Sequence, residues 1–139
     1  TEYDTAEGWA KHNRHHWLRD YRDWVEFFIS KMFTEPHSTK PIEDAVGWGL
    51  ETDAEVMIAT MEAPDLSPEE AQALCRRVRC PVLVIQGDQD AITSHTRGTA
   101  FAEHLGGDLV LLEGSGHASH IRDPVKVNLL IREFLESLP

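Results

Sequence analysis

The chain has few cysteines and few basic residues, and each shortage excludes a class of protein. Its 139 residues include only two cysteines, Cys75 and Cys80, too few for the disulfide framework of a small secreted domain. Lys and Arg number 13 against 24 Asp and Glu, and the net charge of −11 argues against a nucleic-acid partner. We therefore expect two reduced structural thiols, a cytoplasmic location and no nucleic-acid surface.

Long apolar runs and metal-binding motifs are absent as well. No apolar segment approaches the length of a membrane span, and residues 1–13 lack the organisation of a signal peptide. Neither a CxxC pair nor an HExxH motif occurs. His12 and His16 would share one face of a helix, as zinc ligands can, but no third ligand stands at a recognisable spacing. We predict no membrane partner, no metal and no cofactor, and keep zinc binding as a third hypothesis.

The first half of the chain has the pattern of helices. Apolar residues recur at helical spacing from Trp17 to Met32, and this repeat ends near "TEPHST". The segment "EPHSTK" is interpreted as a capped turn between this helix and the next. Thr52 and Glu55 have the spacing of a capping box for the helix after that. The sequence therefore predicts one helical region over residues 1–63.

The second half alternates helices with apolar strands. Ser67 and Glu70 form a second capping box, with a proline at the first helical position. The apolar runs "CPVLVIQG" and "LVLLE" lack polar alternation, which is typical of strands buried on both faces of a parallel sheet. The segment "TRGTAFAEHL" between them fits a crossover helix. Residues 64–139 are therefore predicted as a helix–strand–helix–strand–helix unit, and the fold class as α/β.

Titratable side chains follow both predicted strands. The segment "GDQDAIT" after the first strand offers Asp88 and Asp90, and "GSGHASH" after the second offers His117 and His120. Because the carboxyl ends of parallel strands meet at one edge of a sheet, a carboxylate and an imidazole are expected to face each other there. A carboxylate that orients an imidazole supplies two members of a nucleophile–histidine–acid triad.

The segment from Cys80 to Leu135 resembles the last third of an α/β-hydrolase-fold enzyme, with the acid loop and the histidine loop in the order of that family. The resemblance implies that Asp90, the second aspartate of the GDxD pattern, is the catalytic acid. It also implies that His117, which follows the GxG turn, is the catalytic histidine. Asp88 would then shape its loop by accepting hydrogen bonds from backbone amides.

The helical half resembles the lid, or cap, that such enzymes insert before their final strands. Its aromatic stripe fits either a helical core or the roof of a substrate pocket, and Trp24 and Phe28 are the predicted pocket residues. His120, three residues after His117, is a further candidate for substrate binding. Such a lining favours a small apolar acyl or aromatic substrate.

The nucleophile of that family is missing from this sequence. No G-x-S-x-G elbow occurs, the earlier strands and the oxyanion-hole loop are not found, and Ser115 is too close to His117 to replace the elbow serine. We expect a C-terminal fragment of a hydrolase for an ester, amide or related bond, inactive alone, whose Ser, Asp or Cys nucleophile lies in the missing N-terminal half. That half, or self-association through the exposed sheet edge, would cover the apolar surface.

A second hypothesis is a non-catalytic, hydrolase-like binding or sensor module of a larger multidomain protein, in which the pocket is kept and the chemistry is lost. The net charge of −11 and the apolar helical half would suit a small-molecule or protein partner. A nucleophile on a strand-to-helix turn upstream of these residues distinguishes the enzyme from the module.

Overall fold

The computed structural model describes residues 5–139, in which helices accompany one pair of parallel strands. This architecture confirms the predicted α/β class. The described residues form two compact units: the first comprises residues 5–31 and Ser38–Pro64, and the second comprises Met32–His37 and Asp65–Pro139. The short stretch Met32–His37 thus lies with the second unit, although the sequence predicts a single helical region over residues 1–63. Within residues 5–139, no helix combines the length and the hydropathy of a membrane span.

Side-chain caps decide where helices of the first unit begin. The Asn13 side chain accepts hydrogen bonds from two amides of the first turn, at 3.0 Å each. Asp53, and not the predicted Thr52, caps the fourth helix by accepting from the Val56 amide at 2.9 Å. A carboxylate at this position also interacts favourably with the helix dipole, which a hydroxyl does not. The elements are α1 (Arg14–Arg19), α2 (Tyr21–Met32), α3 (Thr39–Gly49) and α4 (Ala54–Met61), after a 3₁₀ turn at Gly8–Lys11.

Tryptophans form the centre of the first unit. Trp17 and Trp24 are 4 % and 3 % exposed, and the centroids of their rings lie 4.9 Å apart. Val25, Ala54 and Ile58 complete the buried cluster. Each aromatic side chain removes a large apolar area from water, so these two rings contribute strongly to the stability of the unit.

The Ser67 capping box is confirmed at the start of the second unit. The Ser67 hydroxyl accepts from the Glu70 amide at 3.2 Å, and the Glu70 carboxylate accepts from the Ser67 amide at 2.8 Å. Gly106, with a φ of 61°, ends the crossover helix, and Asp123 caps the last helix by accepting from the Lys126 amide. The elements are α5 (Pro68–Cys75), β1 (Leu83–Gly87), α6 (His95–Leu105), β2 (Asp108–Leu112), α7 (Ser119–Arg122) and α8 (Pro124–Ser137).

The two strands form a small parallel sheet, with Leu83 opposite Asp108 and Gly87 opposite Leu112. The sequence predicts strands buried on both faces, and this prediction is wrong, because most of β1 is only half-buried and Leu111 on β2 is 46 % exposed. In residues 5–139 the sheet contains only these two strands, so each keeps an unpaired edge. Exposed apolar side chains of the second unit include Phe101, Leu111, Val125, Leu129, Ile131 and Leu135.

We expect Ser67→Ala to lower the free energy of unfolding by about 1 kcal/mol, because the Glu70 amide loses its acceptor at the start of α5. Urea unfolding followed by circular dichroism measures the change. Ser137→Ala removes an exposed hydroxyl at the end of α8 and is the control, with an expected change below about 0.5 kcal/mol. Equal effects of the two substitutions would contradict the capping role of Ser67.

Candidate functional site

The loops that follow β1 and β2 meet at the carboxyl edge of the sheet. The Asp88 carboxylate accepts a hydrogen bond from the Gly114 amide at 2.8 Å. The Gln89 amide donates to the Ser115 carbonyl oxygen at 2.9 Å, and the Asp88 amide donates to the Leu112 carbonyl oxygen at 3.1 Å. These bonds join the "GDQD" loop to the "GSGH" loop, so parallel pairing brings together the two segments that carry the predicted acid and histidine.

Asp90 and His117 form a hydrogen-bonded pair between these loops. Asp90 Oδ2 lies 2.8 Å from His117 Nδ1. The Asp90 side chain is 1 % exposed, whereas the His117 side chain is 34 % exposed. An ionised carboxylate only accepts, so Nδ1 carries the proton and the neutral ring has its lone pair on Nε2. The pair can therefore take up a proton at Nε2, and the carboxylate can stabilise the imidazolium that results.

Three further donors hold the Asp90 carboxylate. Oδ1 accepts from the amides of Ile92 and Thr93, both at 2.8 Å, and Oδ2 accepts from Gln86 Nε2 at 2.7 Å. The largest single influence on the pKa of Asp90 is burial, which raises it. Hydrogen bonds from the Thr93 amide, the His117 ring and the Ile92 amide lower the pKa, as does the charge of the His117 ring, and together they outweigh burial. The pKa of this carboxyl therefore lies below its ordinary value, and the group is ionised at neutral pH.

Gln86 is a residue of this site that motif analysis misses. It lies on β1, and its side-chain amide donates to the same Asp90 oxygen that lies 2.8 Å from His117 Nδ1. Helix α6 leaves room for this side chain at Gly98, where an added Cβ would lie 3.0 Å from Gln86 Oε1. The available signal in the sequence is a polar side chain within an otherwise apolar strand, which needs a hydrogen-bond partner when it is covered.

Glycine at position 87 lets the two loops approach each other. A Cβ at Gly87 would lie 2.2 Å from the Ser115 carbonyl oxygen and 2.3 Å from the Gly116 carbonyl oxygen, so the position accepts no side chain without displacing the histidine loop. Gly114, in the turn after β2, has a φ of 71°, which favours glycine. The glycines around Ser115 therefore serve a tight turn and a close backbone contact.

The segment Met32–His37, called the strap below, also contacts the histidine loop. The Met32 carbonyl oxygen accepts from the His117 amide at 2.9 Å. Glu35 Oε1 accepts from the Gly116 amide at 2.8 Å, across 81 positions of the sequence. The sequence predicts only a capped turn for this part of the strap, because contacts between residues so far apart leave no local pattern.

The predicted substrate-binding residues are distributed over both units. Trp24 is buried and Phe28 is half-buried in the first unit, with their ring centroids 5.4 Å apart. His120 is exposed on α7 in the second unit. Their contact with a substrate stays a prediction.

The two histidines of the zinc hypothesis have protein partners. His16 Nε2 lies 2.8 Å from Asp23 Oδ2, and His12 Nδ1 accepts from Trp24 Nε1 at 3.3 Å. Among the residues that the structure describes, no three His, Cys, Asp or Glu side chains are arranged to hold a metal ion. The geometry gives the zinc hypothesis no support.

Comparison with known proteins gives a family match and similar solved structures. The family described as TAP-like protein matches residues 54–138. The structure is similar to the esterase RhEst1 from Rhodococcus sp. ECU1013, with a TM-score of 0.74 and 21 % identity over 87 % of this chain and 43 % of that one. It is also similar to a thermophilic esterase from Thermogutta terrifontis, with a TM-score of 0.72 and 24 % identity over 91 % of this chain and 49 % of that one.

The chain thus spans less than half the length of either esterase, and at these identities the likeness shows a shared fold. No curated protein matches the chain.

We expect Gly87→Ala to lower the free energy of unfolding by about 1–3 kcal/mol, because the new methyl group would overlap two carbonyl oxygens of the histidine loop. Gly47→Ala is the matched control. It adds the same methyl group inside α3, where nothing lies within 4 Å, and should stabilise the chain by about 0.5–1 kcal/mol. Urea unfolding measures both changes, and a Gly87→Ala chain as stable as the wild type would contradict the close contact.

Asp90→Asn removes a group whose lowered pKa links stability to pH. A carboxyl whose pKa is lower in the folded chain stabilises that chain above about pH 4, and this contribution is lost as the pH falls through the folded value. Urea unfolding midpoints at about pH 7 and about pH 3 should therefore differ more for the wild type than for Asp90→Asn. Asp65→Asn, an exposed aspartate, should retain the wild-type difference, and an equal difference in Asp90→Asn would contradict the assignment.

Proposed function

Since the chain belongs to the TAP-like family of α/β-hydrolases, we propose that it supplies the catalytic acid and the catalytic histidine of a hydrolase for an ester, amide or related bond. The hydrogen bond between Asp90 and His117 carries this proposal. It joins a buried, ionised carboxylate to a ring whose side chain is 34 % exposed and therefore accessible to a reacting group. The two similar solved structures are esterases, which favours an ester among these bonds.

In this proposal Asp90 orients the imidazole and His117 moves the proton. Nε2 takes a proton from the nucleophile as it attacks the carbonyl carbon, while the Asp90 carboxylate, 2.8 Å from Nδ1, stabilises the imidazolium. The same Nε2 then gives the proton to the leaving group. The hydrogen bonds to Asp90 keep it ionised throughout, because they hold its pKa below the ordinary value. These steps require no metal and no cofactor.

The nucleophile is proposed to come from polypeptide outside these 139 residues. The sequence contains no G-x-S-x-G elbow, and the chain spans 43 % and 49 % of the two similar esterases. The same polypeptide would pair with the open edges of the sheet and cover exposed apolar side chains such as Leu111. The chain alone would then be inactive, and without this partner it would associate with itself.

The helical region over residues 1–63 is proposed as the lid of this hydrolase. An apolar cavity of about 160 Å³ lies among side chains that include Trp24 and Phe28. A small apolar acyl or aromatic group matches this lining. His120, exposed on α7, is proposed as a further contact with the substrate. The two free cysteines fit the reducing cytoplasm, which we propose as the location.

Fluorophosphonate labelling of the longest polypeptide expressed from the same gene tests the proposal. We expect His117→Ala to slow labelling by about 10⁴-fold or more, because the nucleophilic serine loses its base. His104→Ala removes an exposed histidine from α6 and is the matched control, with wild-type labelling expected.

Wild-type labelling that does not depend on His117 would remove this residue from the mechanism. If the wild type itself is not labelled, a serine hydrolase is contradicted, and an aspartate nucleophile or the non-catalytic binding module becomes the better hypothesis.

A further inference from the structure

The strap holds the histidine loop through a side chain as well as through its backbone. Glu35 Oε1 accepts from the Gly116 amide at 2.8 Å, and the Met32 carbonyl oxygen accepts from the next amide of the loop at 2.9 Å. Beyond the loop, the Arg122 guanidinium donates to the Pro36 carbonyl oxygen at 3.1 Å. The strap is therefore bound to the residues on both sides of the imidazole.

Packing around Gly116 makes this contact tight. A Cβ at Gly116 would lie 2.7 Å from the Met32 carbonyl oxygen and 2.9 Å from Thr34 Oγ1, so the strap backbone and the loop backbone touch. The second carboxylate oxygen of Glu35 is buried as well. A hydrogen bond to an ionised acceptor is about twice as strong as one between neutral groups, and low local dielectric strengthens it further.

The strap also contains a residue in an unusual backbone conformation. His37 has a φ of 62°, in the left-handed region that residues other than glycine rarely adopt. Such a conformation persists only where surrounding contacts determine it. The contacts of Glu35 with Gly116 and of Pro36 with Arg122 are suited to impose it, which indicates that the strap has one defined path beside the histidine loop.

We propose that Glu35 is a positioning residue for His117. Its carboxylate fixes the Gly116 amide, and with it the backbone from which the imidazole reaches Asp90 at 2.8 Å. Without this acceptor the loop gains freedom next to the histidine, and the ring loses its alignment with the acid. The proposal rests on the proposed function in one respect, the role of His117 as acid and base.

Nuclear magnetic resonance of the 139-residue chain tests this role without any turnover. Glu35→Ala removes the acceptor, Glu35→Gln keeps an oxygen without the charge, and Glu103→Gln removes an exposed carboxylate from α6 as the control. Two signals are measured in each variant: the hydrogen exchange rate of the Gly116 amide and the low-field Hδ1 proton of His117 in its bond to Asp90.

In Glu35→Ala we expect the Gly116 amide to exchange about tenfold to a hundredfold faster, and the His117 Hδ1 signal to broaden by exchange with water. In Glu35→Gln the exchange rate should rise by about threefold to tenfold, with the Hδ1 signal retained. Glu103→Gln should match the wild type in both measurements. In a complete enzyme that is labelled, Glu35→Ala should slow the labelling and Glu35→Gln should restore most of it.

A folded Glu35→Ala chain with wild-type exchange at Gly116, or with an unchanged Hδ1 signal, would overturn the proposal. If Glu35→Ala does not fold, Glu35→Gln decides: faster exchange at Gly116 supports the role, and wild-type exchange overturns it. Because neither signal depends on activity, a wild-type enzyme that is not labelled would contradict a serine hydrolase and still leave the effect of Glu35 on the histidine loop measurable.

Discussion

A carboxylate stays charged away from water only where hydrogen bonds replace its hydration, and the second unit meets this condition at Asp90. Its donors come from three places: two amides of its own loop, the Gln86 side chain on β1, and the His117 ring on the loop after β2. Parallel pairing of β1 with β2 is what brings these donors to one point. The Asp90 carboxylate therefore depends on the register of the two strands, on the conformation of both loops and on the space that Gly98 leaves for Gln86.

Features that depend on neighbours in the chain could be predicted from the sequence. Local patterns and the geometry of parallel sheets predict the Ser67 capping box, the order of strands and helices in the second half, and the meeting of an acid loop with a histidine loop. The choice of Asp90 and His117 within these loops is what the resemblance to α/β-hydrolases implies, and these two side chains are hydrogen-bonded. The limit of such local prediction is the exact residue. The sequence predicts Thr52 as the N-cap of α4, whereas Asp53 is the cap, because the two are adjacent acceptors and the folded backbone decides between them.

Features that depend on distant contacts could not be predicted. The sequence marks Gln86 only as a polar side chain in an apolar strand, and its place in the site is defined only once α6 brings Gly98 beside it. Glu35 belongs to a predicted capped turn, and no local pattern indicates its contact with the histidine loop. Burial of the strands was overestimated for a related reason. An apolar strand is typical of a sheet that is covered on both faces. The segments that pack on these faces are not indicated by the strand's own sequence, and residues 5–139 cover β1 and β2 only in part.

The strap interrupts the first unit along the sequence, since residues 5–31 precede it and Ser38–Pro64 follow it. A chimera that exchanges residues 5–64 with a relative as one block would therefore carry away the acceptors of the Gly116 and His117 amides together with the helices. A chimera that keeps these hydrogen bonds needs two additional junctions, one on either side of Met32–His37. The helices flanking this segment can then diverge or be replaced, while its six residues must be inherited with the histidine loop that they support.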